Sequence, residues 1–106
     1  MKEYVLIYSG GRVPQTESEQ DAVVQAWGKW FRDLGDKIVD GGNPFSPNAK
    51  RINPDGSVTS LPSETKATGY AIIKAESLYS AAAMAQKCPV LLAGAKIEVY
   101  ETFRAM

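Results

Sequence analysis

The amino-acid sequence predicts an α+β fold: a four-stranded antiparallel sheet with two helices on one face, in the order strand, helix, strand, strand, helix, strand, and a hairpin inserted before the third main strand. Two observations carry this. Segments of two-residue periodicity alternate, in that order, with two segments whose apolar residues recur at helical spacing, which is the split βαββαβ arrangement. The chain has 106 residues, 44% hydrophobic and 23% charged, which is the size of one domain spanning 1–106 and close to ordinary globular composition, so disordered and fibrous classes are excluded.

Tyr4 to Tyr8 reads as the first strand, closed by Ser9-Gly10-Gly11. Tyr4, Leu6 and Tyr8 fall on one face and Val5 and Ile7 on the other, so both faces are apolar and the strand is expected at the sheet centre, covered on both sides. Gly10 to Gln15 is a loop. Thr16 and Glu19 have capping-box spacing, with Ser18 and Asp21 as the alternative start. Val23, Ala26, Trp27, Trp30, Phe31 and Leu34 then form one apolar helical stripe, and Gly35 stands at the C-terminal cap.

Lys37 to Asp40 starts a second strand, bent or bulged at Gly41-Gly42. Asn43 to Asn48, with two prolines, is irregular. Lys50 to Ile52 and Ser57 to Thr59 form a hairpin around Asn53-Pro54-Asp55-Gly56, in the residue order of a type I turn with a glycine bulge. A polar loop from Ser60 to Thr68 leads to a strand over Gly69 to Lys74, with Tyr70 and Ile72 on one face and Ala71 and Ile73 on the other. Ser77 caps a second helix whose inward stripe is Leu78, Ala81, Ala82 and Ala85, and which stops at Pro89. Lys96 to Phe103 is the last strand, with Ile97, Val99 and Phe103 on its buried face.

A one-sided sheet leaves its second face in water, yet the first and third main strands are apolar on both faces. Two copies pressed sheet to sheet solve this with the least chain, so a homodimer is expected, with an interface of roughly 2,000 Å² or more. The 12 basic and 12 acidic side chains balance, which speaks against nucleic acid and membrane surfaces as partners. No apolar run is long enough to span a bilayer and the first residues lack a signal peptide's apolar core, so a cytoplasmic protein is expected. The single cysteine, Cys88, fits a reducing compartment and reads as a buried structural thiol. The absence of histidine removes Ser-His-Asp and Cys-His catalysis and the usual zinc sites, and no metal-ligand spacing is present.

Several stretches together resemble the YCII-related superfamily, and within it the DGPF-domain branch. They are Met1 to Tyr8, Trp27 with Lys29-Trp30, Lys37 to Asn43 with Ser46-Pro47, Glu64-Thr65-Lys66, Gly69-Tyr70 with Ile72 to Ala75, Lys87 to Leu91, and Ile97 to Val99. The resemblance implies a dimeric α/β barrel, consistent with the ferredoxin-like element order, and no cofactor is expected. Two departures accompany it. Where the branch carries Asp-Gly-Pro-Phe, this chain reads Ser60-Leu61-Pro62-Ser63 in a shortened loop, and the histidine and aspartate pair associated with YCII proteins has no histidine here.

In folds of this kind the pocket is expected between the sheet and the helices, near the end of the first strand. Tyr8, Ser9, Arg12, Trp27, Trp30, Asp40, Asn43, Lys66 and Tyr70 are the residues that could reach it. Trp27 and Trp30 either line it for a planar ligand or fill the core. Asp40 is the candidate general base, or else a carboxylate accepting from the Gly41-Gly42 backbone. Arg12, in a glycine-bearing loop, suits an anion through a bidentate contact, or is a solvated or interface charge. Lys66 beside Glu64 binds an acidic group or forms an exposed ion pair, and Tyr8 and Tyr70 present hydroxyls to a ligand or fill the interface. The leading expectation is a homodimer that binds a small anionic or aromatic metabolite, without catalysis or as a vestigial enzyme. Its rivals are a cofactor-independent isomerase, lyase or monooxygenase using Asp40 with Tyr8, Tyr70 or Lys66, and a structural interaction domain.

Overall fold

Strand β1 (Lys2–Gly10) pairs antiparallel along both edges, with β5 (Ala67–Ala75) and with β6 (Ala95–Glu101), and β2 (Ile38–Asp40) completes the order β2-β5-β1-β6. Helices α1 (Glu17–Leu34) and α2 (Leu78–Ala85) pack on one face. This is the ferredoxin-like α+β arrangement, seen in a computed structural model that describes residues 1–62 and 66–105. Short strands β3 (Arg51–Ile52) and β4 (Val58–Thr59) form the inserted hairpin.

Register decides which side chains meet the helices, because residues directly opposite on neighbouring strands share a face. Tyr4 lies opposite Ile73, Leu6 opposite Ala71 and Val99, and Tyr8 opposite Gly69 and Ile97. These face the helices and make the core with Trp30, Ala75, Ala81, Ala85 and Cys88. The other face presents Val5 opposite Ile72 and Tyr100, and Ile7 opposite Tyr70 and Glu98. Phe45 stacks on Tyr70 at one end of that face, and Val5, Ile7 and Ile72 stay partly exposed.

Local chemistry accounts for the element ends. Thr16 caps α1 by accepting from the Glu19 N–H at 3.0 Å, while the Glu19 carboxylate reaches one residue further back than a capping box requires and accepts from the Gln15 N–H at 2.8 Å. Gly35 closes α1 in a positive-φ conformation. Ser77 caps α2 through the Ser80 N–H. In the hairpin Gly56 takes φ of 87° and its N–H donates to the Asn53 carbonyl at 2.8 Å, as the type I turn with a glycine bulge demands.

Four expectations are corrected. Lys37 belongs to a short 3₁₀ turn (Gly35–Lys37), so β2 starts one residue later. Leu78 is 49% exposed, because only Ala81 and Ala85 of α2 are buried against the sheet. The helix ends at Ala85, before the proline, and Pro89 instead opens a second 3₁₀ turn (Pro89–Ala93). Phe103 lies beyond the end of β6 and is exposed. Part of the Ser60 to Thr68 loop, with Ser63, Glu64 and Thr65, lies outside the described residues.

Gly41 and Gly42 bend the chain as expected. The β2–β5 register slips between Ile38 and Asp40, Gly42 takes φ of 77°, and the chain returns to β5 where Pro44 bridges Gly69 and the Phe45 N–H donates to the Thr68 carbonyl at 2.9 Å. A Cβ at position 42 would overlap the Tyr70 carbonyl, whereas one at Gly56 would meet open space. Gly56→Ala therefore carries only the left-handed backbone cost of about 1 to 2 kcal/mol. Gly42→Ala adds a backbone collision and is expected to cost more than about 3 kcal/mol. Urea unfolding of the two variants checks the ranking.

Candidate functional site

A cavity of about 560 Å³ lies between α1 and the sheet at the Tyr8 end of β1. It exists because side chains are missing where the layers would otherwise close. Gly69 stands opposite Tyr8, and a Cβ there would come within 3.2 Å of the Tyr8 ring. Gly41 lies under Phe31, where a Cβ would come within 3.3 Å of the ring, and Gly42 lies against the Tyr70 backbone. Trp27 and Phe31, one helical turn apart on α1, supply a wall, with ring centroids 5.6 Å apart. The Tyr8 ring lies 6.0 Å from Trp27. Val23, Val24, Gly28, Asn43, Pro44, Thr68 and Val90 complete the lining. None of these lining side chains is charged.

Sequence reasoning brought Tyr8, Trp27 and Asn43 to this cavity, and the structure places them there. Tyr8 contributes only its ring. Its hydroxyl is turned into the core, where it accepts from the Cys88 thiol at 3.6 Å. Burial, with the adjacent Cys88, raises the Tyr8 phenol far above the usual tyrosine range, and burial raises the Cys88 thiol as well.

Trp30 does not line the cavity. It is 3% exposed, packs edge-on against Trp27, and donates its indole N–H to the Met84 carbonyl at 3.0 Å, which ties α1 to α2. The Trp27 indole N–H has no hydrogen-bond partner among the described residues.

Asp40 and Tyr70 meet, but on the other side of the sheet. Tyr70 lies opposite Ile7 on the open face, and its hydroxyl donates to Asp40 Oδ2 at 3.0 Å. The Gly42 N–H donates to Asp40 Oδ1 at 2.8 Å, and Phe45 stacks on the Tyr70 ring at 5.7 Å. The hydrogen bond to Asp40 and its negative charge raise the Tyr70 phenol. The register therefore puts the Tyr70 side chain on the face opposite that of Tyr8, while Tyr70 also borders the cavity, beside Gly42 and Asn43.

Ser9 also lies on the open face, opposite Lys96. Lys66 lines a separate hollow of about 440 Å³ under the Pro44 to Ala49 segment and donates to the Pro47 carbonyl at 3.3 Å. Its expected partner Glu64 lies outside the described residues. Arg12 borders a neighbouring cavity that shares Trp27 with the first. Among the described residues no three His, Cys, Asp or Glu side chains are grouped as metal ligands, and no helix is long and apolar enough to cross a membrane.

Phe31, Val24, Gly28, Thr68, Gly69 and Val90 were not singled out from the sequence. The glycines at 41, 42 and 69 were the available signal: Gly41 and Gly69 leave room beside the Phe31 and Tyr8 rings, and Gly42 lets the chain lie against the Tyr70 backbone. Val90 comes from a 3₁₀ turn that has no periodicity to read.

No family model matches the chain, and no curated protein matches it by sequence. Among solved structures it is similar to 5-chloro-2-hydroxyhydroquinone dehydrochlorinase (TftG) from Burkholderia phenoliruptrix AC1100, in complex with 2,5-dihydroxybenzoquinone. The identity is 21%, the TM-score 0.53, and the match covers 95% of this chain and 93% of that one. That likeness shows the ferredoxin-like fold for this chain.

The Tyr8–Cys88 pair predicts an alkaline limit on stability. Both groups are buried in protonated form, with pKa values above those of the unfolded chain. Their contribution is complete below about pH 8 and falls as the pH rises, when the unfolded state releases first its thiol proton, near pH 8.5, and then, near pH 10, its phenol proton. Tyr8→Phe keeps the ring and removes the phenol's share, so its unfolding free energy should decline less between pH 9 and 11 than that of the parent chain. Equal declines in parallel urea titrations would contradict this assignment.

Proposed function

We propose that the chain forms a homodimer through the open sheet face, and that each cavity binds a small planar aromatic or quinone-type ring without acid-base chemistry at the cavity wall. The observation that carries the binding reading is the wall itself: Tyr8, Trp27 and Phe31 surround a glycine-lined space of about 560 Å³. Such walls suit a flat π-system, each aromatic pairing contributing about 0.5 to 1.5 kcal/mol beyond area burial, and the volume lies in the range of small-molecule sites. The similar structure is a dehydrochlorinase holding a dihydroxybenzoquinone, which supports a ring of this class.

Binding without catalysis is supported by the lining. It holds no charged side chain, its tyrosine hydroxyl is turned away to Cys88, and the Asp40–Tyr70 pair lies across the sheet. The enzyme reading draws on the neighbour's activity and would need Asp40 to act from the open face.

Dimerisation is supported by surface area. The chain exposes 7700 Å², against about 5,800 Å² expected of a compact monomer of this mass. Part of the excess is the open face, where Val5, Ile7, Tyr70 and Ile72 are only half-buried and Tyr100 is 54% exposed.

Calorimetric titration with hydroquinone and with 2,5-dihydroxybenzoquinone tests the cavity. Binding of at least one is expected, weakened at least tenfold by Trp27→Ala; no binding of either up to millimolar concentration overturns the reading. Chloride release from 5-chloro-2-hydroxyhydroquinone above the buffer blank would overturn the non-catalytic part.

Native mass spectrometry at micromolar concentration tests the assembly. A dimer is expected for the parent chain and a monomer for Ile72→Lys, which places a charge in the centre of the open face. A monomeric parent chain rejects the homodimer.

A further inference from the structure

A second cavity, of about 410 Å³, adjoins the first. The two share Val23, Trp27 and Val90 in their walls and so lie side by side along α1, as two lobes of the trough considered below. The second lobe is apolar apart from two charged side chains, Arg12 and Glu19. Leu92 in its wall is 76% exposed and Val24 in the wall of the first lobe is 70% exposed, which leaves apolar surface in water that an occupant would cover.

The two charges differ in what they are free to do. Glu19 is engaged at the start of α1, accepting from the Gln15 N–H at 2.8 Å. Arg12 is fixed by its backbone, whose N–H donates to the Ala93 carbonyl at 2.9 Å. It follows Gly10 and Gly11, both at positive φ, and Gly11 lies so close to β6 that a Cβ would stand 3.2 Å from the Ala95 side chain. The Arg12 guanidinium makes no hydrogen bond or ion pair with any described residue. A cation is thus held on an anchored backbone at the rim of an apolar groove, with its donors unspent.

We infer that the trough takes an elongated aryl carboxylate, its ring beside Trp27 and its single negative charge on Arg12, and that Arg12 sets the preference for acid over neutral ligand. The inference rests on the aromatic-ring reading of the first cavity and extends it. Guanidinium and carboxylate match as a bidentate pair. The Glu19 carboxylate on the same rim repels further negative charge, so one anionic group is accommodated better than two.

Two probes that differ only in charge separate the two readings: 2-naphthoate and 2-naphthamide, titrated calorimetrically at pH 7 into the full chain and into Arg12→Gln. The expected result is naphthoate bound about five- to tenfold more tightly than the amide by the parent chain, the scale of one solvent-accessible charged contact. The preference should disappear in Arg12→Gln with the amide affinity unchanged, and return in part in Arg12→Lys. Equal affinity for acid and amide in the parent chain overturns the role of Arg12 and leaves the aromatic reading standing. Loss of amide affinity in Arg12→Gln overturns it too, by making Arg12 a support of the loop. Failure of both probes to bind overturns both readings.

Discussion

The pairing of Tyr8 with Gly69 is the constraint on which the rest of the site depends. Along the β1–β5 ladder each residue of β1 that faces the helices meets a residue of β5 on the same face, and size falls toward one end: Tyr4 meets Ile73, Leu6 meets Ala71, Tyr8 meets Gly69. At the Tyr4 end the layers close over a filled core. At the Tyr8 end the missing side chain lets the tyrosine ring lie down on the sheet, and α1 cannot fill the space above it because Gly28 also faces that space. Native interiors are close-packed, so a space of this size at the edge of a small core is held open by what surrounds it. The surrounding groups are rigid: Trp30 pins α1 to α2 through the Met84 carbonyl, and the Gly41-Gly42 bend carries the chain back onto β5 at Pro44.

Much of the fold was legible because its signals are local. Thr16, Gly35, Ser77 and the Asn53 to Gly56 turn each act within a few residues, through caps and turn dihedrals that the residue type nearly dictates. The apolar residues on both faces of β1 were equally plain, and they put β1 at the centre of the sheet, as the strand order has it. The failures have a common physical form. Leu78 and Phe103 fit a periodic pattern, but periodicity says which side of an element is apolar and not how far the neighbouring layer extends. The sheet-facing residues of α2 begin at Ala81, and β6 stops at Glu101.

The site was legible in part for the same reason. Tyr8, Trp27 and Asn43 line one cavity because a strand end, a helix stripe and the loop after β2 converge in this split βαββαβ fold. Tyr70 was grouped with Tyr8 although the alternation within each strand was known, because the faces of two strands can be matched only once their register is fixed. With Tyr8 opposite Gly69, Tyr70 must point to the opposite side. Trp30 illustrates the remaining ambiguity: two tryptophans three residues apart share a stripe, yet one is sealed by a carbonyl and the other borders open space.

The sheet thus divides the polar chemistry of the molecule into two compartments with different surroundings. Above it, the first cavity has apolar walls and no charge in its lining, an environment in which an unpaired ion is costly to bury. A ligand's charge is then better placed at the far end of the trough, where Arg12 is exposed to water and already carries the complementary sign. Below it, Asp40 is held by the Gly42 N–H and the Tyr70 hydroxyl beside the half-buried residues that the proposed dimer covers. A carboxylate with two donors already in place can enter an interface without becoming an unsatisfied buried charge. In that arrangement Asp40 tolerates the proposed association of the open faces, the aromatic walls on the other side are left to the proposed ligand, and the same strand β1 separates the two by the alternation of its side chains.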